Sequence, residues 1–249
     1  MIENLLDYAP PANILENKRI LITGAADGIG RAVAQSFASH GASLILLDRK
    51  SRKLETLYDE IIAAGGLEPT LVLQDLMDMD FQSALQISAG IELDFHNLDG
   101  LLHNAGHLAG LTPMHSVDMD SWHKTLQVNL NAPRILTQVL FPLLKRSEAA
   151  TILFTTADSG RRGQAYWGAY AVAYGGIEIL AQTWADEVEQ NTALRINTID
   201  PGPVRTEMRR RAFPGEIPEA VRAPEDITAA YLYLMGDDSR HVRGRALRI

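Results

Sequence analysis

Six short apolar runs, each followed by a longer amphipathic stretch, constrain this chain more than any other feature. They lie at 19–23, 43–47, 71–73, 100–103, 151–155 and 195–199, and a short seventh lies near 246–249. Most of these runs are apolar at successive positions instead of alternating with polar residues. That is the signature of strands covered on both faces, which are joined in parallel by crossover helices. The spacing predicts helices between the runs, among them 30–40, stopped by Gly41, and two long ones at 119–145 and 166–190. The expected fold is therefore α/β: a single-domain, doubly wound, seven-stranded parallel sheet with helices on both faces. No linker or repeat interrupts 19–249, and residues 1–18 form an N-terminal arm that packs on the body or on a neighbouring subunit.

Charge and composition exclude several classes. With 23 basic against 31 acidic side chains the net charge is −8, which argues against a nucleic-acid partner, since phosphate binding needs a cationic footprint. The chain has no cysteine, so disulfides and thiolate metal sites are excluded. His103, His107 and His115 have no carboxylate at zinc-like spacing, and no metal is expected. No apolar stretch approaches the roughly 18 residues a membrane span needs, and the start, MIENLLDYAPP, lacks a basic leader. A cytoplasmic protein without membrane contact is expected. Only five of the basic residues are lysine (Lys18, Lys50, Lys53, Lys124 and Lys145), and none follows Lys145.

The first run leads into TGAADGIG, which places Gly24, Gly28, Ile29 and Gly30 in a strand-to-helix turn. Glycines there let the backbone approach a pyrophosphate, and the helix start offers unpaired N–H groups to the anion. The second run ends at Asp48, about twenty residues on, where a carboxylate accepts the ribose hydroxyls of adenosine and repels a 2′-phosphate. Asp27 adds a second negative charge on that side, whereas Arg49 and Arg52 favour a phosphate. The balance favours NAD over NADP.

From here the chain resembles the short-chain dehydrogenase/reductase family. TGAADGIG is similar to its TGxxxGxG. Asp75 with Leu76 matches the acid that meets the adenine amino group. His103, Asn104, Ala105 and Gly106 resemble the NNAG segment in the form HNAG, and Asn129 in QVNLNAP matches the asparagine of a proton relay. Pro201, Gly202, Val204 and Thr206 in DPGPVRT resemble the PGxxxT segment at the nicotinamide. The resemblance implies a Rossmann sheet, a small-molecule alcohol or carbonyl substrate, and a homodimer or homotetramer formed through the helices 119–145 and 166–190. It also leads one to expect more chain after the last strand than ALRI provides.

The family's acid–base chemistry rests on Tyr-x-x-x-Lys, with a serine thirteen residues before the tyrosine. The tyrosine position is Tyr170, but Tyr174 stands where the lysine belongs and Ala157 where the serine belongs. A phenol with its ordinary pKa of about 10 is ionised about one part in a thousand at pH 7. If the lysine brings it near 7, losing that lysine costs about 4 kcal/mol. Ala157 has no hydroxyl to donate to a substrate oxygen. Candidate substitutes lie nearby: Tyr166, Tyr170 and Tyr174 recur along one helix face, Arg161 and Arg162 precede that helix, and Thr156, Asp158 and Ser159 flank Ala157. Alternation along the strand turns Thr156 to the other face.

Two functions stand on these residues. One is an oxidoreductase that moves a hydride between a nicotinamide and an alcohol or carbonyl with weakened acid–base catalysis. The other is a pseudoenzyme, a silent NAD(P)-binding sensor or scaffold. A hydrolase is disfavoured because GxSxG does not occur. The segments 106–114 and 205–224 are expected to shape the substrate pocket. The proline-rich stretch 201–224 is the least regular part of the chain.

Overall fold

A computed structural model describes residues 5–249. Its strands are β1 (Arg19–Thr23), β2 (Ser43–Asp48), β3 (Thr70–Leu73), β4 (Gly100–His103), β5 (Thr151–Thr155), β6 (Arg195–Asp200) and β7 (Ala246–Arg248). They form one sheet in the order β3-β2-β1-β4-β5-β6-β7, parallel at every pairing. The helices are α1 (Gly28–Ser39), α2 (Ser51–Ala63), α3 (Phe81–Phe95), α4 (Met119–Leu126), α5 (Ala132–Lys145), α6 (Asp158–Arg161), α7 (Gly168–Glu189), α8 (Glu207–Ala212) and α9 (Thr228–Met235). The doubly wound, single-domain Rossmann architecture expected from the apolar runs is the one observed.

Period-two alternation divides each central strand between two cores. Ile20, Ile22, Leu46 and Leu153 face a layer with Phe37 of α1, Leu57 of α2 and Tyr231 of α9. Leu21, Ile45, Leu101 and Phe154 face the other layer, with Ile91 of α3, Leu140 of α5 and Ile177 of α7. Each such side chain is worth about 1.5–3 kcal/mol of burial, and because neither face of the strand meets water the runs carry little polar punctuation.

The arm packs on its own body. Leu15 is fully buried, and Leu5, Leu6, Tyr8 and Ile14 pack against the layer that holds α9. Tyr8 Oη donates to Asp238 at 2.7 Å, and Lys18 pairs with Asp237 at 2.8 Å. The first four residues of the expected arm lie outside the described residues.

Two expectations about helices are corrected, and the stretch expected to be least regular carries a helix of its own. The stretch 119–145 is not one uniform helix: a wider π turn, Gln127–Asn131, separates α4 from α5. The helix expected at 166–190 begins at Gly168, because Tyr166 takes a left-handed φ of 74° and stands outside it. Only Tyr170 and Tyr174 of the supposed tyrosine face are therefore helical. The stretch 201–224 contains α8, capped by Thr206, and is tied back by a parallel bridge between Val204 and Arg222.

Candidate active site

The strand order reverses between β1 and β4, and loops leaving the carboxyl ends of such strands diverge to make a crevice. Two of its walls touch through glycine. A Cβ on Gly24, whose φ is +67°, would lie 2.7 Å from Ala105 Cα, and one on Gly30 would lie 2.1 Å from Gly24 O. The glycine turn and the Asn104–Gly106 segment therefore pack backbone to backbone. Thr23, to which no motif assigns a role, fastens them: its Oγ1 accepts from Asn104 N at 3.1 Å and Ala105 N at 3.2 Å. Ile29 turns into the core beneath, packed against its buried residues.

The rim at the end of β2 carries most of the charge. Asp48 accepts from Ala26 N at 3.1 Å and from Lys50 N at 3.0 Å, so its carboxylate is oriented by backbone. Asp27 caps α1 by accepting from Gly28 N, and its other oxygen receives Lys50 at 2.9 Å and Lys53 at 2.6 Å. Partial burial opposes the Asp27 charge, but hydrogen bonds from Lys53 and Lys50 outweigh it and hold the carboxyl at about 2. The second negative charge expected from Asp27 is thus compensated by the two lysines. Asp75 caps the turn that contains buried Leu76, accepting from Met77 N at 2.9 Å, and pairs with Arg49 at 3.1 Å.

Asn129 sits in the π turn, whose extra width brings its amide to the loop after β4. It accepts from His107 N at 2.7 Å and donates to His107 O at 2.8 Å. His103 is buried, stacked on Phe154 at 4.8 Å and bonded to Thr137 at 2.8 Å; burial holds its pKa at about 3 and the ring neutral. Among the described residues no cluster of histidines and carboxylates is placed to hold a metal ion. Nor is any described helix long and apolar enough to cross a membrane.

On the far side, Tyr170 and Tyr174 occupy successive turns of α7 with ring centroids 4.6 Å apart. The Tyr170 hydroxyl reaches Met208 Sδ at 3.8 Å. Burial, reinforced by Tyr174, pushes Tyr170 well above its ordinary value near 10, and burial, partly offset by a hydrogen bond with Tyr170, pushes Tyr174 to about 12. Ala157 lies at the start of α6, extended and without a side-chain cap. Its polar neighbours are engaged elsewhere or enclosed. Thr156 Oγ1 donates to Glu178 at 2.8 Å, Asp158 pairs with Arg248 at 3.2 Å, and Ser159 is buried.

Arg161, weighed as a substitute cation, binds the buried Glu178 at 2.9 Å and the Leu247 carbonyl at 3.0 Å, while Arg162 is exposed. Gly202 N donates to Asp200 at 2.9 Å, Val204 is buried, and Thr206 Oγ1 accepts from Arg209 N at 3.2 Å, so the segment begun by Pro201 folds into α8 beside the tyrosines. Met208, absent from the motif reading, carries no signal beyond its place two residues after Thr206.

A short chain dehydrogenase family model matches residues 18–217. The chain belongs to the short-chain dehydrogenase family. "Uncharacterized oxidoreductase YciK" of Escherichia coli K12 is 42% identical over 239 residues, covering 96% of this chain and 94% of that protein. A solved short chain dehydrogenase from Shigella flexneri 2a, complexed with NADP, is 41% identical with a TM-score of 0.93, covering 96% of this chain and 99% of the other. Another, from Escherichia coli CFT073 and complexed with NADPH, is 42% identical with a TM-score of 0.93 over 96% and 99% of the two chains. The short-chain dehydrogenase fold thus accounts for the convergence of the glycine turn, the Asn104–Gly106 segment and Tyr170 at one crevice.

Proposed function

We propose that this short-chain dehydrogenase binds a nicotinamide dinucleotide in the crevice between the Gly24–Gly30 turn and Asn104–Gly106, and that it is an oxidoreductase of alcohols or carbonyls with weakened acid–base catalysis. The carrying observation is the packing of Gly24 on Ala105, with Asp48 and Asp75 presented on the adenosine side of the same crevice. When bound, the nicotinamide gives or takes the hydride. The protein's share is to hold the substrate oxygen and move its proton at Tyr170 Oη. Asn129 braces the loop at His107, and Pro201, Gly202, Val204 and Thr206 frame the nicotinamide side.

Two features weaken that share. Tyr174 gives Tyr170 a neutral phenol as neighbour where a cation would lower its pKa, and Ala157 contributes no donor to the substrate oxygen. The protonated Tyr170 still suits carbonyl reduction, in which it gives a proton, better than alcohol oxidation, in which it must first lose one. Juxtaposing substrate and dinucleotide sustains slow transfer without a tuned acid.

Asp48 supports NAD, because its carboxylate opposes a 2′-phosphate. Arg49, Lys50 and Lys53 on the same rim, and the NADP and NADPH held by the two relatives, weigh on the other side. Titration with NADH and NADPH by calorimetry, then an assay of a carbonyl and alcohol panel, tests the whole reading. Failure to bind either dinucleotide would sink it, and tighter binding of NADPH than NADH would remove the preference drawn from Asp48.

The protein is read as a cytoplasmic homodimer or homotetramer joined through α4, α5 and α7. Support comes from the apolar side chains Val172 and Ile179 on α7, 47% and 64% exposed in the isolated chain. A monomeric mass in sedimentation would contradict that assembly.

A further inference from the structure

Around Tyr170 the side chains are apolar and aromatic. The Tyr170 ring lies 5.2 Å from that of Trp167, and Trp167 lies 6.1 Å from Phe213, so three half-buried rings run outward from the proposed proton donor. Met208 adds a thioether 3.8 Å from the Tyr170 hydroxyl. The loop after β4 joins them. Thr112 N donates to Tyr166 O at 3.1 Å, which brings Leu111 beside the start of α7, and Met114 Sδ stands 3.7 Å from where a Cβ on Gly168 would lie. Leu111, Met114 and Tyr166 are 36%, 58% and 57% exposed. Large apolar side chains left in water together, continuous with the rings at the proton donor, mark a surface that a ligand covers.

Polar anchors are spent at the same place. Arg209 covers the Phe213 ring at 3.7 Å, but Glu216 takes two hydrogen bonds from it, at 2.8 and 2.6 Å. Arg210 and Arg211 both pair with Glu207, and Arg161 binds the buried Glu178. An anionic substrate would have to displace one carboxylate to gain another. Arg162 and Arg205, exposed on flanking turns, are the arginines such a substrate would turn to. Ala157 supplies no donor, so the affinity for a carbonyl compound has to come from the rest of the molecule.

Resting on the proposed chemistry at Tyr170, we infer that the substrates are uncharged ketones or aldehydes carrying a large apolar group, aryl or long alkyl, which packs on Trp167, Phe213, Met208, Met114 and Leu111. The carbonyl carbon receives the hydride of the reduced dinucleotide while its oxygen takes the Tyr170 proton. A ketone and NAD(P)H thereby become an alcohol and NAD(P)⁺, and water restores the phenol. Rings offer stacking and edge contacts, and the two flexible thioethers fit groups of differing outline, so selectivity follows apolar area more than shape. A carboxylate brought into the same wall loses its water without gaining a partner.

The test is calorimetry on the full chain saturated with the oxidised dinucleotide it binds. The ligands are 2-butanone, 2-octanone and 7-oxooctanoate, the last matching 2-octanone in length but ending in a carboxylate, and kcat/KM for their reduction follows. 2-Octanone should bind about 10²-fold more tightly than 2-butanone, about fourfold for each added methylene. It should bind about tenfold or more tightly than 7-oxooctanoate, with kcat/KM in the same order. Equal Kd values along the alkyl pair, tighter binding of the carboxylate, or no ketone binding to the loaded protein overturns the inference and leaves the dinucleotide site standing. Binding in the expected order with no reduction overturns the proposed activity and the substrate role with it, and absence of dinucleotide binding overturns the proposed function itself. Met114→Lys and Leu111→Lys, at exposed positions, should each cut the preference for 2-octanone over 7-oxooctanoate about fivefold or more while the dinucleotide Kd stays unchanged. An unchanged preference in both would contradict the wall.

Discussion

Tyr174 places its ring 4.6 Å from that of Tyr170, so that the hydroxyl proposed to move the substrate's proton has a second neutral phenol beside it. Reintroducing the family's groups provides the first prediction. Ala157→Ser with Tyr174→Lys should raise kcat/KM for carbonyl reduction by about 10²-fold or more, the lower range of what general acid–base catalysis supplies. Steady-state kinetics on the reduction panel checks this. An unchanged kcat/KM in a folded double variant would place the limit outside the acid–base groups.

The pH dependence follows from Tyr170. Because burial and Tyr174 hold its pKa well above 10, the phenol stays protonated through the neutral range. Alcohol oxidation, which needs the phenolate, should accelerate about tenfold per pH unit from pH 7 to 10 without reaching a plateau. A plateau below pH 9 in the wild-type pH–rate profile would contradict the assignment.

Alkaline stability follows from Tyr174, whose pKa rises to about 12 on burial. The fold favours the protonated phenol, so this contribution is complete below about pH 10 and is lost as the pH climbs towards 12, amounting to about 3 kcal/mol. Denaturant melts of the wild type and Tyr174→Phe at pH 9 and pH 12 measure it. The variant should lose less stability over that interval, and parallel losses would count against it.

Glu178 ties four elements together, since it accepts from Thr156 of the β5 end, Thr198 of β6 and Arg161 of α6 while standing on α7. It is buried, and Glu178→Ala strands those donors, so a loss of about 3–5 kcal/mol is expected, read as a lower denaturant midpoint. Arg162→Ala, at an exposed position nearby, should change stability by less than about 0.5 kcal/mol.

The strands were legible because burial on both faces leaves an unbroken apolar run, as in Leu44, Ile45, Leu46 and Leu47 of β2. The glycine turn was legible for a related reason: Gly24 and Gly30 stand where a Cβ would strike backbone, a constraint that only one residue type meets. The π turn at Asn129 was not, because its apolar spacing differs from that of an α-helix by a single residue. The start of α7 was missed since a tyrosine in a left-handed conformation carries no local mark. The compensation of Asp27 was not legible because Lys50 and Lys53 reach it only after β2 returns beside β1. Charge compensation of that kind depends on which loops meet, and linear spacing does not record it.

The arm has a topological consequence. Tyr8 meets Asp238 across 230 residues of sequence and Lys18 meets Asp237 across 219, so the N-terminal arm is clasped to the turn that follows α9. The loop those contacts close holds β1 through β6, and closing a loop of that length carries an entropy cost. The arm and the turn after α9 are therefore joined on the face opposite α5 and α7.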